Sequence, residues 1–328
     1  MHYLGDRSKQ YQTARTVFSI TALSLFVSAV FTLYWGISLY RYETLHAFGF
    51  SGMILGWSII DALVLLGFSA FTVVVFRRTN DKSVSGSYAV MLLIALIGYS
   101  YVVYKAPQVK NMTRDEFHRQ CTSITGMSDF QMIDNLYLGA NKVLCSNQCM
   151  CNADPKMWNK FYDKKADSKI VTANIDILNP TKVPKPVKNQ TVKELGEPVI
   201  QNGLYTIKNG AERISDCPYA NETLSTLLDT SFSVFSLDET LNLLKGIEND
   251  FSCASMCKRS PLFAFSEVSK GPPQQACRRS VTNKVASIAN CFFWTNLVFA
   301  VITLIGFVLA TMIAFDKRGE LDEPLLQR

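Results

Sequence analysis

The chain has 328 residues and a formal net charge of +6, and nearly half of its residues (48%) are hydrophobic. Its 33 basic residues are dispersed rather than gathered in a stripe with aromatic side chains, which argues against nucleic-acid binding. The apolar residues form four runs, and a long polar stretch, 105–289, separates the third run from the fourth. Such runs are typical of membrane spans, because about 20 apolar residues are needed to cross the hydrocarbon core.

The four runs predict four membrane-spanning helices, since they lack the alternation of barrel strands and only helices or closed barrels pair every backbone polar group in lipid. Span 1 is too long for the apolar core of a signal peptide and is predicted to be a retained anchor. In chain order we predict a cytosolic N-terminus (1–16), span 1 (17–40), a short outer loop (41–50), span 2 (51–76), a cytosolic turn (77–85), span 3 (86–104), a large outer loop (105–288), span 4 (289–315) and a cytosolic tail (316–328).

Basic residues in the short segments predict the orientation. The N-terminus, the turn between spans 2 and 3 and the tail together carry nine Lys and Arg residues, whereas the loop 41–50 carries only Arg41. Because short cytosolic segments are enriched in Lys and Arg, both termini are predicted to be cytosolic. The large loop then lies outside the cell or in a lumen, and its 23 basic residues do not count because the loop is too long for the rule.

Eight of the nine cysteines lie in the large loop, and the ninth, Cys291, lies at the start of span 4. An even number in an oxidising compartment predicts a disulfide framework, with zinc binding as the alternative. The pairing stays open at this stage, although the i, i+4 pairs Cys145/Cys149 and Cys253/Cys257 suggest two facing helices joined by two bridges. The predicted disulfide cysteines are Cys121, Cys145, Cys149, Cys151, Cys217, Cys253, Cys257 and Cys277.

Inside the large loop, two stretches predict helices and one does not. Residues 113–144 and 221–251 place apolar side chains at helical spacing, and Ser236 with Glu239 forms a capping-box pattern in the second stretch. The insert 164–214 is rich in Lys, Pro and Asn, which predicts an extended or flexible segment with a short hairpin.

Two kinds of short motif predict processing and sorting. The N-x-S/T sequons at Asn111, Asn189 and Asn221 are candidate glycosylation sites, and Asn189 is favoured because it lies in the insert while Asn111 is close to span 3. The tail carries a D-x-x-L-L pattern that resembles a dileucine sorting signal, with a plain solvated terminus as the alternative. Its residues are Asp322, Leu325 and Leu326.

Asp61 in span 2 and Asn296 in span 4 are the candidate intramembrane polar residues. A carboxylate in lipid costs about 2.5–3.5 kcal/mol on insertion scales, so Asp61 is a candidate for binding an ion, a proton or a lipid headgroup. The structural alternative is a hydrogen bond to a Ser, Thr or Tyr on a neighbouring helix. The G-x-x-x-G pair Gly52 and Gly56 predicts close helix packing within the bundle, with dimerisation as the alternative.

This layout of four spans, cytosolic ends, a small first loop and a large cysteine-rich loop resembles the tetraspanin family over essentially the whole chain. Cys149-Met150-Cys151-Asn152 is the nearest match to the family's Cys-Cys-Gly signature, which is therefore degenerate. Cys217-Pro218 resembles a family cysteine beside proline with the order reversed, and Cys277 matches the last cysteine before span 4.

The resemblance implies an all-α membrane protein, in which a four-helix bundle carries a disulfide-stapled, mainly helical outer domain. It further implies a non-enzymatic scaffold. The predicted location is the plasma membrane or, because of the dileucine-like tail, an endosomal or lysosomal membrane. Its partners would be other integral membrane proteins in cis, itself and membrane lipids. No catalytic residue, metal or cofactor is predicted beyond a bound lipid or sterol. The alternative functions are a structural subunit of a larger membrane complex and a channel or transporter subunit that uses Asp61.

Overall fold

A computed structural model of the chain describes residues 2–77, 82–122, 128–158, 199–201, 204–218, 220, 222, 224 and 237–315. Its helices are α1 (His2–Tyr40), α2 (Glu43–Ala47), α3 (Ser51–Arg77), α4 (Lys82–Thr122), α5 (Asp129–Val143), α6 (Leu237–Phe251) and α7 (Cys277–Ala314). Strands β1 (Val199–Gln201) and β2 (Leu204–Thr206) pair antiparallel. Short 3-10 turns lie at Pro155–Trp158, Ile214–Asp216 and Val268–Lys270.

The chain divides into two compact units. The bundle unit comprises Met1–Arg41, Ser51–Lys110 and Ser287–Arg328, and the cysteine-rich unit comprises Tyr42–Phe50 and Asn111–Ala286. Both α4 and α7 contribute residues to each unit.

Four helices are long and apolar enough to cross a membrane, as predicted, and they cover Gln12–Tyr40, Ser51–Phe76, Ser83–Thr122 and Cys277–Ala314. Helix α4 continues past residue 104, where span 3 was predicted to end, and α7 begins before the predicted start of span 4 at residue 289. The helices extend because hydropathy reports where apolar residues stop, whereas backbone hydrogen bonding continues through the polar residues that follow.

Helix α1 contacts the other three helices of the bundle unit. Ser69 Oγ on α3 donates to the Ala22 carbonyl at 2.9 Å. The Phe18 ring packs edge-on against the Tyr88 ring of α4, with ring centroids 5.4 Å apart. The Phe31 ring packs against the Phe292 ring of α7, with ring centroids 5.5 Å apart. Each of the other three long helices therefore packs against α1.

Glycine makes two of the close approaches in the bundle, but not where the G-x-x-x-G motif predicts them. A Cβ at Gly36 would lie 2.4 Å from Ser58 Cβ, and a Cβ at Gly306 would lie 2.7 Å from Thr21 Oγ1. At Gly52 and Gly56 a Cβ would meet no described atom within 4 Å, and the same holds for Gly67 and Gly98. The prediction of bundle packing at Gly52 and Gly56 is therefore wrong. They lie on a different face of α3 from Ser58, which faces α1.

The core of the cysteine-rich unit forms between α5, α6 and the irregular chain that follows each of them. Its largest fully buried side chains include Trp158, Tyr137 and Leu244. Helix α5 begins at a capping box that was not predicted, in which Ser128 Oγ accepts from the Gln131 N–H at 3.3 Å. The predicted continuous helix 113–144 is therefore two helices, because Ser128 starts a new one.

The insert is only partly as predicted. The expected short hairpin is formed by β1 and β2, which flank the sequence Asn-Gly, a pair favoured in two-residue hairpin loops. Leu204, Thr206 and Ile214 are buried, so the end of the predicted flexible insert belongs to the core. The remainder of the insert and Ser236 of the predicted capping box lie outside the described residues. Helix α6 is described from Leu237.

Helix α2, in the short loop between the first two spans, is capped by another part of the chain. Its own N-cap residue, Tyr42, makes no side-chain cap. Instead Asp250 of α6 accepts from the Thr44 N–H at 2.8 Å, the Thr44 hydroxyl at 2.6 Å and the Glu43 N–H at 3.2 Å. A carboxylate at a helix N-terminus bonds the free N–H groups and complements the helix dipole. The loop therefore docks on α6.

The Gly246→Ala substitution tests this docking. Alanine normally stabilises a helix interior over glycine by about 1 kcal/mol. Here a Cβ would lie 2.8 Å from the Thr44 nitrogen, so we expect a lower melting temperature. Thermal unfolding in detergent measures the change. Gly98→Ala is the control, because nothing described lies within 4 Å of its Cβ, and it should leave the melting temperature unchanged or raised. Equal behaviour of both variants would contradict the docking.

Candidate interaction domain and intramembrane polar residues

The eight cysteines of the large loop form four disulfides. The pairs are Cys121–Cys257, Cys145–Cys151, Cys149–Cys217 and Cys253–Cys277. Two of them connect the end of α4 and the first residue of α7 to the chain that follows α6. The framework therefore fixes distant parts of the cysteine-rich unit to one another.

The predicted arrangement, in which two facing helices are joined by two bridges, is wrong. Cys145 and Cys253 lie just after α5 and α6 rather than within them, and Cys145 has a positive φ of 58°. The two i, i+4 pairs therefore do not lie on helix faces. Among the described residues, no group of three or more His, Cys, Asp or Glu side chains is placed to hold a metal ion.

The segment 252–266, called the core segment here, is largely buried although it belongs to no helix or strand. Its backbone N–H groups therefore need acceptors from elsewhere. Asp134 of α5 accepts from the Ser255 hydroxyl, from the Met256 N–H at 2.6 Å and from the Cys257 N–H at 3.1 Å. This carboxylate thus binds the first half of the core segment.

Glu248 of α6 does the same for the second half. Its carboxylate accepts from the Ala264 N–H at 3.0 Å and the Phe265 N–H at 3.1 Å, and also from the Ser266 N–H. Glu248 is 2% exposed, and the Tyr137 ring packs edge-on against Phe265 at 4.9 Å. Both carboxylates act on backbone groups, so the arrangement is suited to holding a rigid surface.

Burial raises the pKa of Glu248 to about 7, although the N–H groups of Ala264 and Ser266 oppose the shift. Burial likewise raises the pKa of Asp134, against the bonds from Ser255 and the following backbone. The pKa of the buried Tyr137 hydroxyl is raised well above its usual value by burial and then by the nearby Glu248. Protonation of Glu248 is therefore coupled to folding near neutral pH.

Sequence reasoning missed both carboxylates. The signal for Glu248 was present, because Leu244 lies one helical turn earlier on the same apolar face of α6. Asp134 similarly stands beside Ile133 and Leu136 on the apolar side of α5. A charged residue at a core position of an amphipathic helix is the pattern that points to a buried, paired role.

The two predicted intramembrane residues differ in their surroundings. Asp61 is exposed on the surface of α3, and its carboxyl group lies within hydrogen-bonding reach of the Thr32 hydroxyl on α1. Asn296 is buried, and its Nδ2 donates to the Phe292 carbonyl of its own helix at 2.8 Å. Asn296 is therefore satisfied locally, whereas Asp61 involves a second helix.

Most residues of the predicted modification and sorting motifs lie outside the described part of the chain. Asn111 is exposed on α4, which is a helical setting rather than a loop. Cys291 carries a free, exposed thiol. The remaining predicted residues lie outside the described part of the chain: Asn189, Asn221, Asp322, Leu325 and Leu326.

Comparison with known proteins yields no relative. No family model matches the chain, no curated protein matches it, and no solved structure matches it. Its function is therefore argued from its own residues.

Non-reducing peptide mapping of the purified full chain tests the disulfides. We expect four linked peptides with the pairs given above and a free Cys291, because the paired Cα atoms lie 4.7–5.4 Å apart. The Cys149→Ser/Cys217→Ser double variant should lose about 2–5 kcal/mol of stability in the cysteine-rich unit. Free thiols at these eight positions would show that the loop faces a reducing compartment.

The pH dependence of the free energy of unfolding tests the raised pKa of Glu248. The folded chain holds a proton on Glu248 between its usual pKa of 4.5 and about 7, where the unfolded chain has lost it. The free energy of unfolding should therefore be highest near pH 5 and fall by up to roughly 3 kcal/mol as the pH rises through 7. Denaturant unfolding at pH 5–8 measures this dependence.

Glu248→Gln should weaken that pH dependence, since it removes the titrating group. Glu267→Gln is the matched control, because Glu267 is exposed beside the same segment, and it should retain the wild-type dependence. A stability that rises between pH 5 and 8 would instead show that the backbone N–H groups hold Glu248 as a carboxylate with a lowered pKa.

Proposed function

We propose that the chain is a tetraspanin-like membrane organiser that binds partner membrane proteins laterally through its cysteine-rich unit. The observation that carries the proposal is that the two chain segments 42–50 and 111–286 fold as one unit with four disulfides. The first segment lies between α1 and α3, and the second connects the apolar parts of α4 and α7.

The contacts between these segments support a four-span arrangement. Asp250 of the large loop binds the backbone of Glu43 and Thr44 in the short loop. Segments in direct contact must lie on the same side of a membrane, so the two spans before and after each loop run in opposite directions. The excess of Lys and Arg in the other short segments then favours the non-cytosolic side for this unit.

The disulfides support the same side independently. Disulfides persist in secreted, luminal and cell-surface compartments, whereas cytosolic thiols are kept reduced. We therefore assign both termini to the cytosol and the cysteine-rich unit to the lumen or cell exterior. The membrane is the plasma membrane or an endosomal or lysosomal membrane.

Binding rather than catalysis is favoured by how the buried charged groups are used. Asp134 and Glu248 are bonded to the backbone of the core segment, and four cross-links hold the surrounding chain. A rigid surface loses little conformational freedom on association, so more of the contact energy appears as affinity. A non-enzymatic scaffold uses such a surface directly.

The family resemblance adds modest support. Cys149, in the degenerate signature, and Cys217, beside Pro218, are bonded to each other. Two of the positions that carry the resemblance are thus parts of one structural element. We propose other integral membrane proteins, a second copy of the chain and membrane lipids as partners.

Site-specific photo-crosslinking in intact cells tests the proposal. A photoreactive residue at Met157 or Lys208, both exposed on the cysteine-rich unit, should form adducts with integral membrane proteins. The same residue at Ser83, near the beginning of α4, is the control and should not give those adducts. The Cys149→Ser/Cys217→Ser variant should still insert into membranes while losing them. Adducts with soluble proteins alone would refute lateral binding.

A second candidate, a channel or transporter subunit, is favoured by one observation. Asp61 is an exposed carboxyl group on an apolar helix. Its contact with the Thr32 hydroxyl of α1 fits the structural alternative instead. Ion flux in reconstituted vesicles distinguishes the two functions. A flux that is lost in Asp61→Asn, with the adducts of Met157 and Lys208 retained, would favour transport over the scaffold.

A further inference from the structure

Asp61 lies on the outer surface of the bundle unit, near the middle of its span. It comes ten residues after Ser51 and fifteen before Phe76, so the two ends of the span are about 15 and 22 Å away along the helix axis. Asp61 is exposed, and two large apolar side chains close to it on α3 are exposed as well, Trp57 by 65% and Val64 by 44%. A carboxyl group therefore faces lipid at a depth where charges are rare and usually paired.

The Thr32 hydroxyl of α1, within hydrogen-bonding reach, holds this carboxyl group at the edge between α1 and α3. The neighbouring α3 residues on the other side of Asp61, Ala62 and Leu65, are only 3% and 5% exposed and belong to the bundle core. A hydroxyl has one hydrogen to donate, whereas a carboxylate has two oxygen atoms with about four acceptor positions between them. The bond from Thr32 therefore positions the carboxylate at the border of the core and satisfies only part of it.

The predicted spans supply no counter-charge for Asp61, because it is the only Asp, Glu, Lys or Arg in their sequences. Lys105, just after span 3, is used elsewhere, since its Nζ donates to Gln108 Oε1 at 3.2 Å. A second copy of the chain would bring another carboxyl group to this depth and no basic residue within its spans. A counter-charge for Asp61 therefore has to come from a different molecule.

We propose that Asp61 is a docking site for a transmembrane helix of another membrane protein, and that this helix carries Arg or Lys near the middle of its span. A basic residue is also unfavourable in hydrocarbon, so pairing it with Asp61 removes two penalties at once. The attraction between the two charges is strong because the dielectric constant there is low. An Arg guanidinium donates two parallel hydrogen bonds to a carboxylate, which suits the acceptor positions that the Thr32 hydroxyl cannot fill.

A helix with a basic residue fits this position better than a lipid phosphate or a metal ion. A phosphate is an anion that Asp61 repels, and the nearer end of the span is about 15 Å away. Hard cations take six or more oxygen ligands, whereas the described residues hold no group of three or more metal-binding side chains. The exposed Trp57 and Val64 offer the apolar contacts that a helix needs. The inference deepens the proposed function and rests on it for the existence of a lateral partner.

Energy transfer between the full chain and designed peptides in liposomes tests the docking. The chain carries a donor dye on Cys291, whose thiol is free and exposed in the bundle unit. The probes are membrane-spanning peptides of about 22 leucines with an acceptor dye, in which the central residue is Arg, Gln or Leu. Arg is used because it stays charged. We expect the Arg peptide to bind about tenfold more tightly than the Leu peptide, and the Gln peptide to bind as weakly as the Leu peptide.

Two substitutions separate the charge of Asp61 from its shape. Asp61→Asn keeps the size of the side chain and should abolish the preference for the Arg peptide, whereas Asp61→Glu keeps the charge and should retain it. Equal binding of the Arg and Leu peptides to the wild-type chain would overturn the proposal, and so would a preference that survives in Asp61→Asn. Equal binding of the Arg and Gln peptides would also overturn it, because neutral hydrogen bonding would then be sufficient.

Other occupants of the surface around Asp61 give different results. Energy transfer between two labelled copies of the chain that is lost in Asp61→Asn would identify a second copy as the occupant. An ion flux that depends on Asp61 in vesicles without peptide would assign the residue to transport. Either result overturns the proposal. The adducts of Met157 and Lys208 are measured on the cysteine-rich unit, so the scaffold function and this docking can fail independently of each other.

Discussion

The need to bond buried backbone N–H groups shapes the cysteine-rich unit. The core segment runs through the interior without helix or strand, so its N–H groups have no regular partners. Asp134 and Glu248 supply the acceptors, one from each of two helices. Trp158 Nε1 adds a bond to the Pro261 carbonyl at 2.9 Å. The relative placement of α5 and α6 therefore depends on the chain that lies between their carboxylates.

In the bundle unit the backbone N–H groups lie in helices, and side-chain hydroxyls are the polar groups that need partners. Ser58 and Thr72 donate to the carbonyls of Ile54 and Phe68 on their own helix, at 2.8 and 2.9 Å. Such local bonds satisfy a hydroxyl without a charged partner, which suits a lipid environment where charges are expensive. The cysteine-rich unit tolerates buried carboxylates because they are bonded to several N–H groups at once. The difference between the two units thus follows from the solvent that each is expected to meet.

A feature of the fold could be predicted from the sequence when its interacting residues lie close together in the chain. Four apolar helices were predictable, because hydropathy is a property of consecutive residues. The disulfide pairing and the cap that Asp250 provides for α2 join residues far apart in the chain, and one sequence carries no signal for them. The prediction of close helix packing at Gly52 and Gly56 was wrong because close approach depends on the helix that lies opposite. No described helix lies opposite these two residues.

The candidate site was predictable only in part. The eight cysteines were identified because their number and confinement to one loop report on redox chemistry. Asp61 was identified because a carboxyl group inside an apolar run is conspicuous. The burial of Ser24 and Thr303 was not predictable, since Ser and Thr are common in membrane helices and burial depends on which helix lies opposite.

The docking of α2 on α6 has a practical consequence for work on this protein. A fragment cut out as residues 111–286 would lack the nine residues 42–50 that belong to the same unit. Gly246 and Asp250 would then face solvent, and the Phe251 ring would lose Tyr42, which packs 6.1 Å away in the full chain. Antibodies raised against such a fragment would include binders to this uncovered face, and those binders would not recognise the protein on cells.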